Sequence, residues 1–147
     1  MKKITVLRIM MVVLTVLALT SIAADGGRKF TTTLTGAAEA PGPGDPDGSG
    51  TARLRLNPGQ GEVCFELTVS NIALPATGAH IHDAPAGVPG PVVIPLTPPD
   101  ASGSSSGCVS ADRELIKDIV QNPEEYYVNV HSTEFPAGAV RGQLSKR

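Results

Sequence analysis

Three histidines are the residues of this sequence best suited to chemistry. The chain contains His80, His82 and His131 and no other histidine. His80 and His82 are separated by one residue, so an extended strand would place both imidazoles on the same face. His131 lies in a second alternating segment, residues 126–132, and shares its face with Asn129. If these segments are neighbouring strands, all three imidazoles lie on the face away from the core, where they can bind zinc or copper.

A three-histidine site leaves a fourth position for water or an acid. Asp83 and Glu134 are the nearest candidates by sequence, and Asn129 could orient a ring by a hydrogen bond. The affinity order of divalent metals favours copper over zinc. The alternative is that the histidines are structural and bond only to the backbone, to Asn129 or to Arg141. We expect Arg141 to point to the polar face and to pair with Glu134 or Asp83, with contact to an anionic ligand as the alternative.

The segments that must position the histidines read as short strands. Alternating or β-branched runs bounded by Gly, Pro and Asn predict strands at residues 30–35, 51–56, 62–69, 79–83, 91–96, 126–132 and 139–144. Residues 111–121 carry an apolar helical stripe, with Ser110 as the expected cap and Pro123 as the stop. Residues 97–107, including three consecutive serines, read as a connector. These elements predict a mainly antiparallel β-sandwich or barrel with one short helix.

The beginning of the chain has the pattern of a secretory signal. Residues 1–8 carry three basic groups and no acid, an apolar run covers residues 9–20, and small residues end at Ala23. We expect cleavage after Ala23, a secreted or periplasmic protein, and one mature domain at 24–147. The apolar run is too short to span a membrane comfortably. The mature chain has nine Lys and Arg against 14 Asp and Glu, a net charge of −5, which gives no footprint for nucleic acid or anionic lipid.

The chain has two cysteines, Cys64 and Cys108. In an oxidising compartment they are expected to form a disulfide, with two unpaired thiols as the alternative. Closing a loop of this length would stabilise the fold by about 3 to 4 kcal/mol in the chain-entropy model. The alternation of residues 62–69 points Cys64 away from the core, where a segment carrying Cys108 can reach it.

Several motifs together resemble a known family. Ala-His-Ile-His at 79–82, Gly-Pro-Val-Val at 90–93, Tyr-Val-Asn-Val-His-Ser at 127–132, Pro-Ala-Gly at 136–138 and Arg-Gly-Gln-Leu at 141–144 resemble, in order and spacing, the CHRD domain. The resemblance covers about 29–144. It departs from the family pattern at Asp83 to Pro85, where a glycine is common, and at Ala139, where an acid is common. It implies an immunoglobulin-like or superoxide-dismutase-like β-sandwich in an exported protein.

Three functions remain open on this basis. The first is a binding module that holds copper or zinc at the three histidines, and the second is a metal-free extracellular domain that binds an unknown protein partner. The third is a small metalloenzyme with superoxide-dismutase-like chemistry, although the paired metal site of that enzyme needs more histidines than the chain contains. The sequence has no nucleophile elbow, phosphate loop or dinucleotide fingerprint. We therefore expect a binding module rather than an enzyme.

Overall fold

The protein is described by a computed structural model over residues 26–146. The expected signal sequence, residues 1–23, lies outside the described residues. The described chain folds into eight strands, one α-helix and two 3₁₀ turns at Gly36–Ala38 and Pro123–Glu125. In chain order these are β1 (Arg28–Thr35), β2 (Ser49–Asn57), β3 (Glu62–Ser70), β4 (Gly78–Asp83), β5 (Val92–Leu96), β6 (Ser104–Ser110), α1 (Arg113–Gln121), β7 (Tyr126–His131) and β8 (Val140–Gln143). The predicted mainly β fold with one short helix is confirmed.

All eight strands belong to one antiparallel sheet in the order β5-β4-β7-β8-β1-β2-β3-β6. Strands β5 and β6 are its two edges. Inward side chains from strands far apart in this order meet in one hydrophobic cluster, so the sheet curves around its core into a nearly closed, barrel-like shape. The alternation of apolar and polar residues along each strand sets which side chains enter that cluster.

The β2–β3 hairpin shows how the alternating pattern builds the core. The apolar side chains at alternate positions of the two strands are all buried, namely Leu54, Leu56, Val63, Phe65, Leu67 and Val69. Each such side chain contributes about 1.5 to 3 kcal/mol when it leaves water. The residues between them point outward, among them Arg53, which pairs with the exposed Glu66 on the neighbouring strand.

Strand β6 corrects the expectation that residues 97–107 form only a connector. Residues 104–110 pair with β3, with Cys108 directly opposite Cys64. The Cys64 and Cys108 sulfur atoms are 2.04 Å apart, which is bonding distance. Serine and glycine have little intrinsic preference for strands, so the sequence around Ser104 gave no periodic signal. The segment becomes a strand because β3 offers it backbone partners and a covalent link.

Helix α1 begins two residues later than predicted. Its cap is Asp112, whose side chain accepts from the N–H groups of Glu114 and Leu115 at 2.9 and 3.0 Å. Ser110, the predicted cap, is instead the last residue of β6. The helix buries Ile116 fully against the barrel, as its apolar stripe requires. Within residues 26–146 no helix has the length and apolar character needed to cross a membrane.

Candidate metal centre

Strands β4 and β7 are direct neighbours, as the convergence of the histidines requires. In their antiparallel register His131 lies opposite Gly78, and His80 lies opposite Asn129. The apolar residues between these positions, such as Ile81, are buried in the core. Because side chains alternate along a strand, all three imidazoles lie on the opposite face. The site therefore forms from two segments about 50 residues apart in the chain.

The three imidazoles form one compact group. One ring nitrogen of each lies within 4.8 Å of a nitrogen of the other two. The closest pair, His80 Nδ1 and His131 Nε2, is 3.1 Å apart. Two ring nitrogens at this distance share one proton in a hydrogen bond, and a metal ion can take the place of that proton. A tetrahedral zinc with bonds of 2.0–2.1 Å would hold its ligand nitrogens about 3.3 Å apart, close to this separation.

Backbone carbonyls hold two of the rings in the orientation that metal ligands adopt. His82 Nδ1–H donates to the carbonyl of Gly90 at 2.9 Å, and His131 Nδ1–H donates to the carbonyl of Pro136 at 3.0 Å. Metal-binding histidines generally use one N–H in this way, which fixes the tautomer and leaves the other nitrogen for the metal. Nε2 is therefore the ligand atom that both rings offer.

Asn129 already occupies that nitrogen on His82. Asn129 Oδ1 is 2.9 Å from His82 Nε2, which donates to it, and both side chains are buried. Both ring nitrogens of His82 therefore face oxygen atoms. An ion that binds His82 Nε2 must replace the hydrogen bond to Asn129, and it then faces the amide oxygen.

Burial keeps the other two rings neutral. It lowers the pKa of His80 to about 4, with further lowering from the neighbouring His131 and His82. Burial also lowers the pKa of His131, although the hydrogen bond to Pro136 opposes the shift. A neutral imidazole has a free lone pair, so protons do not compete with a metal for His80 near neutral pH.

The structure does not bring the two candidate acids to this group. Asp83 is exposed at the end of β4, one residue after His82 and so on the other face, and Glu134 is exposed in the turn after β7. Among residues 26–146, the group within 4.8 Å contains three histidines and no carboxylate.

A buried polar network, unforeseen from the sequence, surrounds the histidines. The ring of His82 stacks on Tyr127 with centroids 4.7 Å apart, and the Arg141 guanidinium lies 3.3 Å over the Tyr127 ring. Arg141 does not pair with Asp83 or Glu134 as expected. It donates to the carbonyls of Pro85 and Val88, each at 2.9 Å, and to Gln143 Oε1 at 3.1 Å.

Residues 84–91, the covering loop, are held down by this network. Besides the bonds to Arg141, the N–H of Gly90 donates to the Tyr127 hydroxyl at 3.2 Å, and Gln143 Nε2 donates to the carbonyl of Ala84 at 2.9 Å. Most of these partners are 37 to 59 residues apart in the chain. The only hint in the sequence was the alternation that placed Tyr127 and Arg141 on the polar face.

Comparison with known proteins gives the family. The CHRD domain matches residues 30–144, which is most of the chain. The chain belongs to the CHRD domain family. The resemblance predicted from the histidine and Arg-Gly-Gln motifs is thereby confirmed. No curated protein and no solved structure matches this CHRD domain. Membership supports an extracellular binding module, and the three-histidine group is the feature on which a more specific function can be built.

Proposed function

We propose that this CHRD domain is a secreted or periplasmic binding module that holds a transition-metal ion at His80, His82 and His131, with copper preferred over zinc. Residues 1–23 act as a cleaved signal, and 24–147 form the mature domain. Family membership and the bonded cysteine pair support export, because disulfides persist in oxidising compartments. The acidic mature surface is also compatible with attracting cations.

The observation that carries the proposal is the convergence of three imidazoles on one point. The His80 Nδ1 to His131 Nε2 distance of 3.1 Å is already close to that between two ligands of one ion. His82 and His131 have their Nδ1–H groups bonded to carbonyls, so each offers Nε2 to the ion, which on His82 replaces the hydrogen bond to Asn129. Imidazole binds copper and zinc alike, and the general affinity order places copper first.

The test is calorimetric titration of the exported, purified protein with copper(II) and zinc(II) at pH 7. Its mass should correspond to a chain that starts at Ala24. We expect one ion per chain, tighter binding of copper, and loss of binding in His80→Ala and His131→Ala. Glu134→Gln is the matched control, because Glu134 is exposed and outside the group, and it should bind as the wild type does. No uptake by the wild type, or full uptake by His131→Ala, contradicts the proposal.

A second candidate is a metal-free domain that binds an extracellular protein and uses its histidines structurally. Both nitrogens of His82 bond to oxygens of Gly90 and Asn129, which favours this candidate. In that case His131→Ala should lower the melting temperature through the lost bond to Pro136, and titration with either metal should give no heat.

A further inference from the structure

Asn129 is the polar residue nearest to where a metal would bond to His82. It lies opposite His80 on β7, is 2% exposed, and holds its Oδ1 2.9 Å from His82 Nε2. An ion attached to that nitrogen would meet the amide oxygen before any carboxylate, since neither Asp83 nor Glu134 belongs to the group.

Glu39 explains why the amide points its oxygen this way. The Asn129 side chain also hydrogen-bonds to the Glu39 carboxylate. Nδ2 is the donating atom of the amide and a carboxyl oxygen of Glu39 accepts from it, so Oδ1 is turned toward His82. Arg141 of β8 interacts electrostatically with the Glu39 carboxyl group. Asn129 connects this carboxyl group to His82.

Two glycines make room for this carboxylate. A Cβ on Gly138 would overlap both Glu39 carboxylate oxygens, and a Cβ on Gly44 would lie 2.7 Å from Glu39 Cγ. Gly138 also has φ of +147°, which L side chains rarely adopt. Within residues 26–146, Glu39 Oε1 is the one buried side-chain oxygen or nitrogen without a hydrogen-bond partner. Glu39 is thus an enclosed carboxyl group, and its Oε1 accepts no hydrogen bond from the described residues.

We propose that Asn129 Oδ1 is the fourth donor of the three-histidine site, and that Glu39 is the positioning residue that turns it toward the ion. This inference rests on the proposed function. It deepens that function because it specifies a site of three nitrogens and one oxygen and excludes the two surface acids as ligands.

The experiment compares copper binding and copper(II) electron paramagnetic resonance in the exported full chain and its variants. Asn129→Leu should weaken copper by about 10- to 100-fold, the usual effect of removing such a supporting group, or more if a ligand is lost. Its spectrum should gain broadening in ¹⁷O-enriched water, because water replaces the amide oxygen. Glu39→Leu removes the acceptor that positions the amide and should weaken copper binding by about 10-fold. Gln60→Leu is the control, since this exposed amide lies in the turn between β2 and β3, outside the histidine group, and it should leave the spectrum unchanged.

Asn129→Asp keeps an oxygen at the same position and serves if the leucine variant does not fold. It should still bind copper, with no equatorial water and a changed hyperfine splitting, because a charged oxygen replaces a neutral one. If the wild type binds no copper, the proposed function and this inference both fail. If the wild type binds copper but already carries an equatorial water, or if Asn129→Asp leaves the hyperfine splitting unchanged, only the assignment of Asn129 fails.

Discussion

Arg141 should be one of the most sensitive residues outside the hydrophobic core. Its side chain is 1% exposed and donates to two carbonyls of the covering loop and to Gln143, while its guanidinium covers the Tyr127 ring. Arg141→Met keeps most of the aliphatic volume but removes every donor. The variant therefore isolates the polar contacts from the packing of the stem.

The magnitude follows from these contacts. Each lost hydrogen bond from the guanidinium should lower the free energy of unfolding by about 1 kcal/mol. We take a low value for a charged donor because the loop carbonyls are only part-buried. The cation–π contact with Tyr127 adds about 1 kcal/mol. Removal of a buried cation returns part of this sum, because its desolvation cost is also removed. We expect a net loss of about 3 kcal/mol and a fall in melting temperature of about 10 °C.

Urea denaturation of wild type, Arg141→Met and Arg53→Met measures this difference. Arg53 is the matched control, since its side chain is 68% exposed and pairs at 3.6 Å with an exposed Glu66. Such a pair contributes at most about 1 kcal/mol. Hydrogen exchange should also speed up at Gly90, whose N–H is held by the loop contacts. If Arg141→Met costs no more than Arg53→Met, the covering loop is not held by Arg141 and the reasoning fails.

Three further changes test other parts of the fold. Asp112→Ala should lower stability by about 1 kcal/mol through loss of the helix cap, whereas Ser110→Ala should have no effect in the same melts. Replacing Cys64 and Cys108 by serine removes a disulfide between residues 44 positions apart and should lower the free energy of unfolding by up to about 4 kcal/mol. An unchanged midpoint in urea would refute this. Burial raises the pKa of Glu39 from 4.5 to about 7, so the folded protein binds a proton in that window that the unfolded chain lacks. Stability should fall as pH rises from about 4.5 to 7, and melts of Glu39→Gln should lack that part of the fall.

The parts of the fold that the sequence predicted are those with a local period. The alternation of polar and apolar residues around Leu54, Phe65 and Ile81 identified both the strands and their inward faces, because burial selects every second residue. Strand β6 has no such period, since its serines and glycine face solvent at an edge of the sheet. The expected bond between Cys108 and Cys64 brought only a connector within reach of β3 and did not predict the pairing of β6 with β3.

The site was predictable only in part for a similar reason. The two-residue spacing of His80 and His82 predicts that both lie on one face of β4, and the alternation around His131 predicts its face on β7. The residues that support the histidines follow no such spacing in the sequence. Glu39 reaches Asn129 from a turn 90 residues earlier, and this contact exists only because the sheet places β7, β8 and β1 side by side.

The distribution of polar groups over the barrel indicates where function lies. The outer face of β2 and β3 carries exposed pairs such as Arg53 and Glu66, which cost little to maintain because water solvates them. The outer face of β4, β7 and β8 is polar too, yet His82, Asn129 and Arg141 are buried, and His82 and Arg141 bond to the covering loop. Removing one member, such as Arg141, leaves its partners unpaired, whereas apolar residues in place of the whole network would stabilise the fold as well or better. We therefore infer that the network is there to hold the ligands of the proposed metal site in fixed positions.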